Sequence, residues 1–159
     1  MPNPSPLTHD WTMGYPMTRR SVPLARIQVR RRLTLWAWGG DIEDAVLVAS
    51  ELVANAVTHG RRAGHELRLR LVELDCGGLD IQVSDPVRAF PQLPATVPVF
   101  DEESGRGLLV VRQLTTELDW FLRPEVGKTV RARLAARPLT AMPPPVPPTP
   151  GGRQTAVRG

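Results

Sequence analysis

The chain has 159 residues, of which 42% are hydrophobic and 23% charged, the proportions of an ordinary globular chain with one core. No run of about 18 apolar residues occurs, which excludes a membrane-spanning helix, and the start lacks the charged-then-apolar pattern of a secretory signal. Cys76 is the one cysteine, which excludes an intrachain disulfide and fits a reducing compartment, so the cytoplasm is the expected location. The net charge of +4 is uneven: residues 137–159 carry +3, residues 1–18 carry −1, and the body between them carries +2. A near-neutral body argues against direct nucleic-acid binding, which needs a clustered basic face. Arg30, Arg31 and Arg32 do cluster, and they fit a solvated helix face. Lys128 is the only lysine, and the arginine excess fits coding bias before function.

Residues 1–9 are rich in Pro and polar groups and are expected to be disordered, with an edge strand over 10–18. A helix is expected from Pro23 to Trp38, its apolar side made by Leu24, Ile27, Leu33, Leu35 and Trp36, and ended by Gly39-Gly40. Asp41 suits the N-cap of a second helix, with Asp44 in the first turn. Ile42, Ala45, Val46, Ala49, Leu52, Val53 and Ala56 recur at helical spacing and form its buried face, and Gly60 caps its end. Alternating apolar residues predict strands over Glu66–Leu74 and Leu79–Asp85, joined by a hairpin at Gly77-Gly78. Residues 86–104 have no period and contain four prolines, a length of loop that is usually functional. Gly105-Arg106-Gly107 then opens a helix running to about Thr116. Strands follow over Leu118–Leu122 and Thr129–Leu134, around a turn at Pro124–Lys128. The Pro-, Gly- and Arg-rich segment 137–159 cannot build a core and is expected to be a disordered tail. The folded domain is therefore expected to span 10–136.

The chemistry concentrates in four places. Glu51, Asn55 and His59 recur every four residues on the second helix and so share one ridge. A carboxylate, an amide and an imidazole beside an apolar face suit a nucleotide–metal site, although His59 is equally at home near a helix C-terminus. Asp85 ends a strand, where a carboxylate can accept an adenine amino group. The Gly105-Gly107 turn can offer backbone N–H groups to phosphates. Gly127-Lys128-Thr129 resembles the end of a P-loop, but Leu122 stands where that loop needs its first glycine.

This order of motifs resembles the Bergerat-type (GHKL) ATPases, and most closely their single-domain anti-sigma-factor serine/threonine kinases. The matching segments are Glu51-Leu52-x-x-Asn55-Ala56-x-x-His59, Val83-Ser84-Asp85, Gly105-Arg106-Gly107-Leu108 and Gly127-Lys128-Thr129-Val130, within residues 20–135. The resemblance implies an α+β fold, a two-layer sandwich of helices on a mixed, mostly antiparallel sheet. It implies ATP and Mg²⁺ as cofactors. Asn55 would hold the metal, and Asp85 would take the adenine amino group with support from Thr129. Gly105, Arg106, Gly107 and Leu108 would wrap the nucleotide phosphates, under a lid made by the long loop. Glu51 would be the catalytic base for phosphoryl transfer to a serine or threonine. The implied partner is an anti-sigma-factor antagonist of the STAS type, with a sigma factor as a second candidate and a homodimer as a candidate assembly, and no membrane. A non-catalytic, nucleotide-dependent protein-binding module is the alternative. One departure motivates it: the second motif continues as Asp85-Pro86-Val87, where the family has glycine in place of Val87.

Overall fold

The computed structural model describes residues 9–88 and 103–136, with side chains from 107 onward in the second segment. The expectations for residues 1–8, for 89–102 with its lid, and for the tail 137–159 lie outside the described residues. The described chain runs β1 (His9–Pro16), α1 (Ser21–Leu35), α2 (Ile42–His59), β2 (Glu66–Glu73), β3 (Leu79–Asp85), α3 (Glu103–Leu114), β4 (Glu117–Leu122) and β5 (Lys128–Leu134). The sheet has the order β1-β2-β3-β5-β4. All its pairings are antiparallel, so the mixed character allowed for in the sequence reading is not present among these strands. The helices cover one face, giving the expected two layers.

The register separates the two faces. Leu71 pairs with Ile81 and Leu69 with Val83, and Ile81 and Val83 pair in turn with Ala132 and Val130; all are buried. These side chains meet Ala45, Val46, Val48, Ala49, Leu52 and Val53 of α2, which form the middle of the core. The other face is open and laced with charge, as expected of a half-solvated antiparallel sheet. Arg133 grips Asp80 with two bonds of 2.7 and 3.0 Å directly across the ladder. Arg131 pairs with Asp119 and Arg70 with Asp10, and the Arg70 guanidinium holds the Asp10 carboxyl below its usual range. Several arginines that the composition assigns to coding bias thus carry cross-strand contacts.

Sequence and structure differ at identifiable places. His9 is the first residue of β1, where its ring stacks on Trp36 and its Nδ1 lies 2.7 Å from Glu73. Helix α1 packs through Ala25, Val29 and Leu33, whereas Leu24, Ile27 and Leu35 are exposed. The residues that bury are those spaced four apart against α2, where small side chains let the helices approach. Arg30, Arg31 and Arg32 do not act as one patch: Arg30 pairs with Glu43, and Arg32 lies over the Trp11 ring. The end of α1 is set by Ala37, not by Gly39-Gly40. Ala37 takes φ 51°, Trp38 N–H bonds the Leu33 carbonyl, and Ala37 N–H bonds that of Thr34. This is a Schellman end with alanine where glycine is usual. Helix α2 is as expected: the Asp41 carboxylate accepts the Asp44 N–H at 3.0 Å, and Gly60 N–H bonds Ala56.

A left-handed residue with a Cβ costs about 1–2 kcal/mol, partly offset by the greater entropy glycine loses on folding. Ala37→Gly is therefore expected to stabilise the fold by about 0.5–1 kcal/mol. Urea unfolding of the two proteins checks it, and a loss of stability would contradict this account of the helix end.

Candidate functional site

The site is built along α2. Buried apolar residues alternate there with Glu51, Asn55 and His59 at the helix margin: Glu51 and Asn55 are half-buried and His59 is exposed. The ridge expected from the spacing therefore divides. Asn55 joins Leu52 and Ala56 in lining a cavity of about 20 Å³, completed by Val83 and Asp85 of β3, Leu108 of α3, and Lys128 and Val130 of β5. That volume suits about one water, so a purine enters only if these walls part. Glu51 sits outside this cavity, next to α3. A Cβ at Gly107 would overlap the Glu51 carboxylate, so with any other residue there the Glu51 side chain would have to turn aside.

At the opposite end, Asp85 is 3% exposed and Lys128 2%. They are direct partners in the β3–β5 ladder. The Lys128 ammonium lies 3.0 Å from both carboxylate oxygens of Asp85 and donates to the Val87 carbonyl at 2.8 Å. Oδ1 of Asp85 also accepts the Val87 N–H at 2.8 Å. Two glycines make room for this cluster. A Cβ at Gly60 would overlap the Asp85 side chain, and one at Gly127, which has φ 70°, would overlap the Asp85 carbonyl.

The first, second, third and fourth motifs therefore meet in one cleft between α2, α3 and the ends of β3 and β5. A profile of the histidine kinase-like ATPase domain matches residues 18–134, most of the chain. The chain belongs to that family. Membership implies that the domain binds ATP. The fold of this histidine kinase-like ATPase domain is also similar to that of the RsbU and RsbW domains of Rv1364c from Mycobacterium tuberculosis, with a TM-score of 0.59 and 20% identity over 80% of this chain. The chain spans 32% of that structure's length. It covers 49% of the histidine kinase domain from the Erythrobacter litoralis EL346 blue-light activated histidine kinase, matched over 61% of this chain at 21% identity and a TM-score of 0.45. Comparison with functionally characterised proteins gave no match.

Within this ATPase domain the structure brings Asn55, Asp85 and Leu108 together at the cavity and Glu51 to the backbone of Gly107. It does not bring Thr129. Side chains alternate across a strand. With Lys128 and Val130 on the cavity side, Thr129 lies on the opposite face of the sheet, where it is buried and its hydroxyl meets that of Ser84 at 2.8 Å. Lys128, not Thr129, is the neighbour that lines the cavity, and it opens β5 instead of closing the preceding turn. Its signal was available only as the sole lysine of an arginine-rich chain. The Gly105-Arg106-Gly107 segment also differs from expectation: it lies inside α3, which begins at Glu103. Of the three, only Gly105 falls among the first four N–H groups, which have no partner within a helix. The side chains of 105 and 106 lie outside the described residues.

Gly127→Ala combines an unfavourable φ with a collision against the Asp85 backbone. It is expected to cost about 2 kcal/mol or more. Gly39→Ala, with nothing within 4 Å of its added Cβ, is the matched control and should stay within about 0.5 kcal/mol of the parent. Denaturant titration distinguishes them, and equal stabilities would refute the close approach.

Proposed function

We propose that this domain transfers the γ-phosphoryl group of ATP to a serine or threonine of a protein partner, an anti-sigma-factor antagonist of the STAS type. The observation that carries the reading is the order of groups along α2. Asp85 abuts the Gly60 end, Asn55 stands in the middle, and Glu51 meets α3 near its start. From residue 60 to 51 is about 13 Å of helix, a span suited to a nucleotide lying along it, base at Asp85 and terminal phosphate at Glu51.

Each group then has a task. Asp85 accepts from the base. Among the described residues there is no cluster of three or more His, Cys, Asp or Glu. A cation at Asn55 would therefore draw its other ligands from phosphate oxygens and water, a shell that suits Mg²⁺. Bound there, Mg²⁺ would neutralise charge on the phosphates. Glu51 would orient the attacking hydroxyl and accept its proton. Phosphoryl transfer depends mainly on positioning and charge stabilisation, and Gly107 leaves room for the Glu51 carboxylate beside α3. The exposed Leu24, Ile27 and Leu35 fall on one stripe of α1, an apolar surface for the protein partner, for a sigma factor, or for a second copy of this chain.

The alternative, a nucleotide-dependent binding module without catalysis, draws support from the Lys128 contact, which already engages Asp85 in the narrow cavity. Transfer of label from ATP to a panel of antagonist proteins separates the two. We expect transfer by the parent protein. Glu51→Ala should reduce it by about 100-fold or more, the usual weight of a positioned base, while leaving ATP affinity within a few-fold. Gly107→Ala should also slow transfer, because the added Cβ meets the end of the Glu51 side chain and turns the carboxylate aside; with only that flexible side chain in its way, it should leave the melting temperature about unchanged. Transfer to no member of the panel, or undiminished transfer by Glu51→Ala, would overturn the kinase reading.

A further inference from the structure

We propose that β4 pairs with the β4 strand of a second copy of this chain, antiparallel and centred on Trp120, so that one sheet runs through a symmetric dimer. The inference does not depend on the nucleotide reading above.

β4 is the last strand of the described sheet on the side away from β1, with β5 as its neighbour. An edge strand can template a further strand through its backbone groups, and natural edges are blunted by proline, bulges or charge. The opposite edge, β1, contains Gly14 and Pro16. β4 contains neither residue type, and its Trp120, Phe121 and Leu122 are 43–45% exposed. Consecutive side chains of a strand point to opposite faces, so this run carries apolar surface to both sides of one edge. A body packed on either face of the sheet would cover only part of it. A strand added in the plane of the sheet flanks both sides.

The backbone direction agrees. Arg123 N–H donates to the Gly127 carbonyl, directly opposite it across the ladder with β5. Bonded and non-bonded positions alternate along such a ladder, so residues 118, 120 and 122 turn their backbone groups away from β5, toward an added strand.

The side chains choose the register. Opposite residues of an antiparallel pair share a face. Centring on Trp120 sets Leu118 opposite the second copy's Leu122, both on the helix side, where they pair with Ala132 and Lys128 of β5. On the open side it sets Glu117 opposite the second copy's Arg123. Among the described residues Arg123 has no ion-pair partner of its own, whereas Glu117 meets Arg133 at 3.4 Å. Symmetry makes this Glu–Arg contact twice. Centring on Asp119 would instead oppose two Asp119 carboxylates, and centring on Phe121 would oppose Glu117 to Glu125; like charges set directly opposite destabilise a strand pair. The twofold axis of the favoured register stands perpendicular to the sheet, which keeps the helices of both copies on one face.

A six-residue strand makes a small interface. Interfaces of that size are weak, so sedimentation velocity of the full chain from about 1 to about 300 µM should show the mass rising from one copy toward two. Glu117→Arg or Arg123→Glu alone sets like charges opposite at two symmetric places and should weaken the dimer about tenfold, and the double variant, which exchanges the two charges, should restore it. Leu122→Lys, a charge on the exposed edge, should weaken it at least as much. A parent protein that stays monomeric throughout, its edge left to another protein or to another segment of this chain, would overturn the inference. So would a dimer indifferent to all of these substitutions, which would be built elsewhere, as on the α1 stripe of Leu24, Ile27 and Leu35. Circular dichroism checks that each variant folds; should a charge variant not fold, the parent series and Leu122→Lys still decide.

Discussion

The contact between Asp85 and Lys128 joins two strands at the point where the cleft meets the core, and both partners are withdrawn from solvent. Burying a charge pair carries a desolvation cost that attraction alone offsets poorly, so such pairs persist where further hydrogen bonds complete them. Here Val87 supplies both: its N–H to the carboxylate and its carbonyl to the ammonium. Gly60 and Gly127 clear the space on two sides. Disturbing any of these would leave an uncompensated charge inside the fold. The end of the second motif, the cap of α2 and the start of β5 are thus held as one unit.

That unit fixes one end of α2, and Gly107 fixes a point nearer its middle by letting α3 rest on Glu51. The helix becomes the spine of the site. Its buried face supplies the core contacts with the sheet, and its margin presents Asn55 to the cavity and Glu51 to Gly107 of α3. Core packing and ligand chemistry are consequently set by the same rotation of one helix. The open sheet face, with its Arg–carboxylate pairs, has no part in the cleft and needs none.

Features that depend on local spacing were legible in the sequence. The extent of α2, its Asp41 cap and the β2–β3 hairpin follow from periodicity and turn chemistry, and all appear in the structure. Residues from the motifs, Asn55, Asp85 and Leu108, line one cavity. What escaped depends on partners far away in the chain. The burial of Lys128 requires a carboxylate 43 residues earlier, set opposite by strand register; read alone, a lysine beside glycine looks like a turn cation. Thr129 lies off the cavity for the same reason, since neighbouring residues of β5 face opposite sides of the sheet. On α1 Leu33 is buried as expected, but Leu24, Ile27 and Leu35 are exposed, because Ala25 and Val29 make the rest of the packed face.

The site gains meaning from the family to which the chain belongs, but its particular character comes from Lys128 and Val87. They complete the hydrogen bonding of the Asp85 carboxylate at that end of the cleft. The central claim is that a nucleotide lies along α2 with Asn55 facing its metal-bearing phosphates. Isothermal titration of ATP with and without Mg²⁺, on the parent protein and on Asn55→Ala, tests it most directly. The account predicts binding to the parent that Mg²⁺ strengthens, and a loss of about tenfold or more in Asn55→Ala confined to the Mg²⁺ condition. No heat of binding to the parent under either condition, or an Asn55→Ala protein that responds to Mg²⁺ as the parent does, would contradict it.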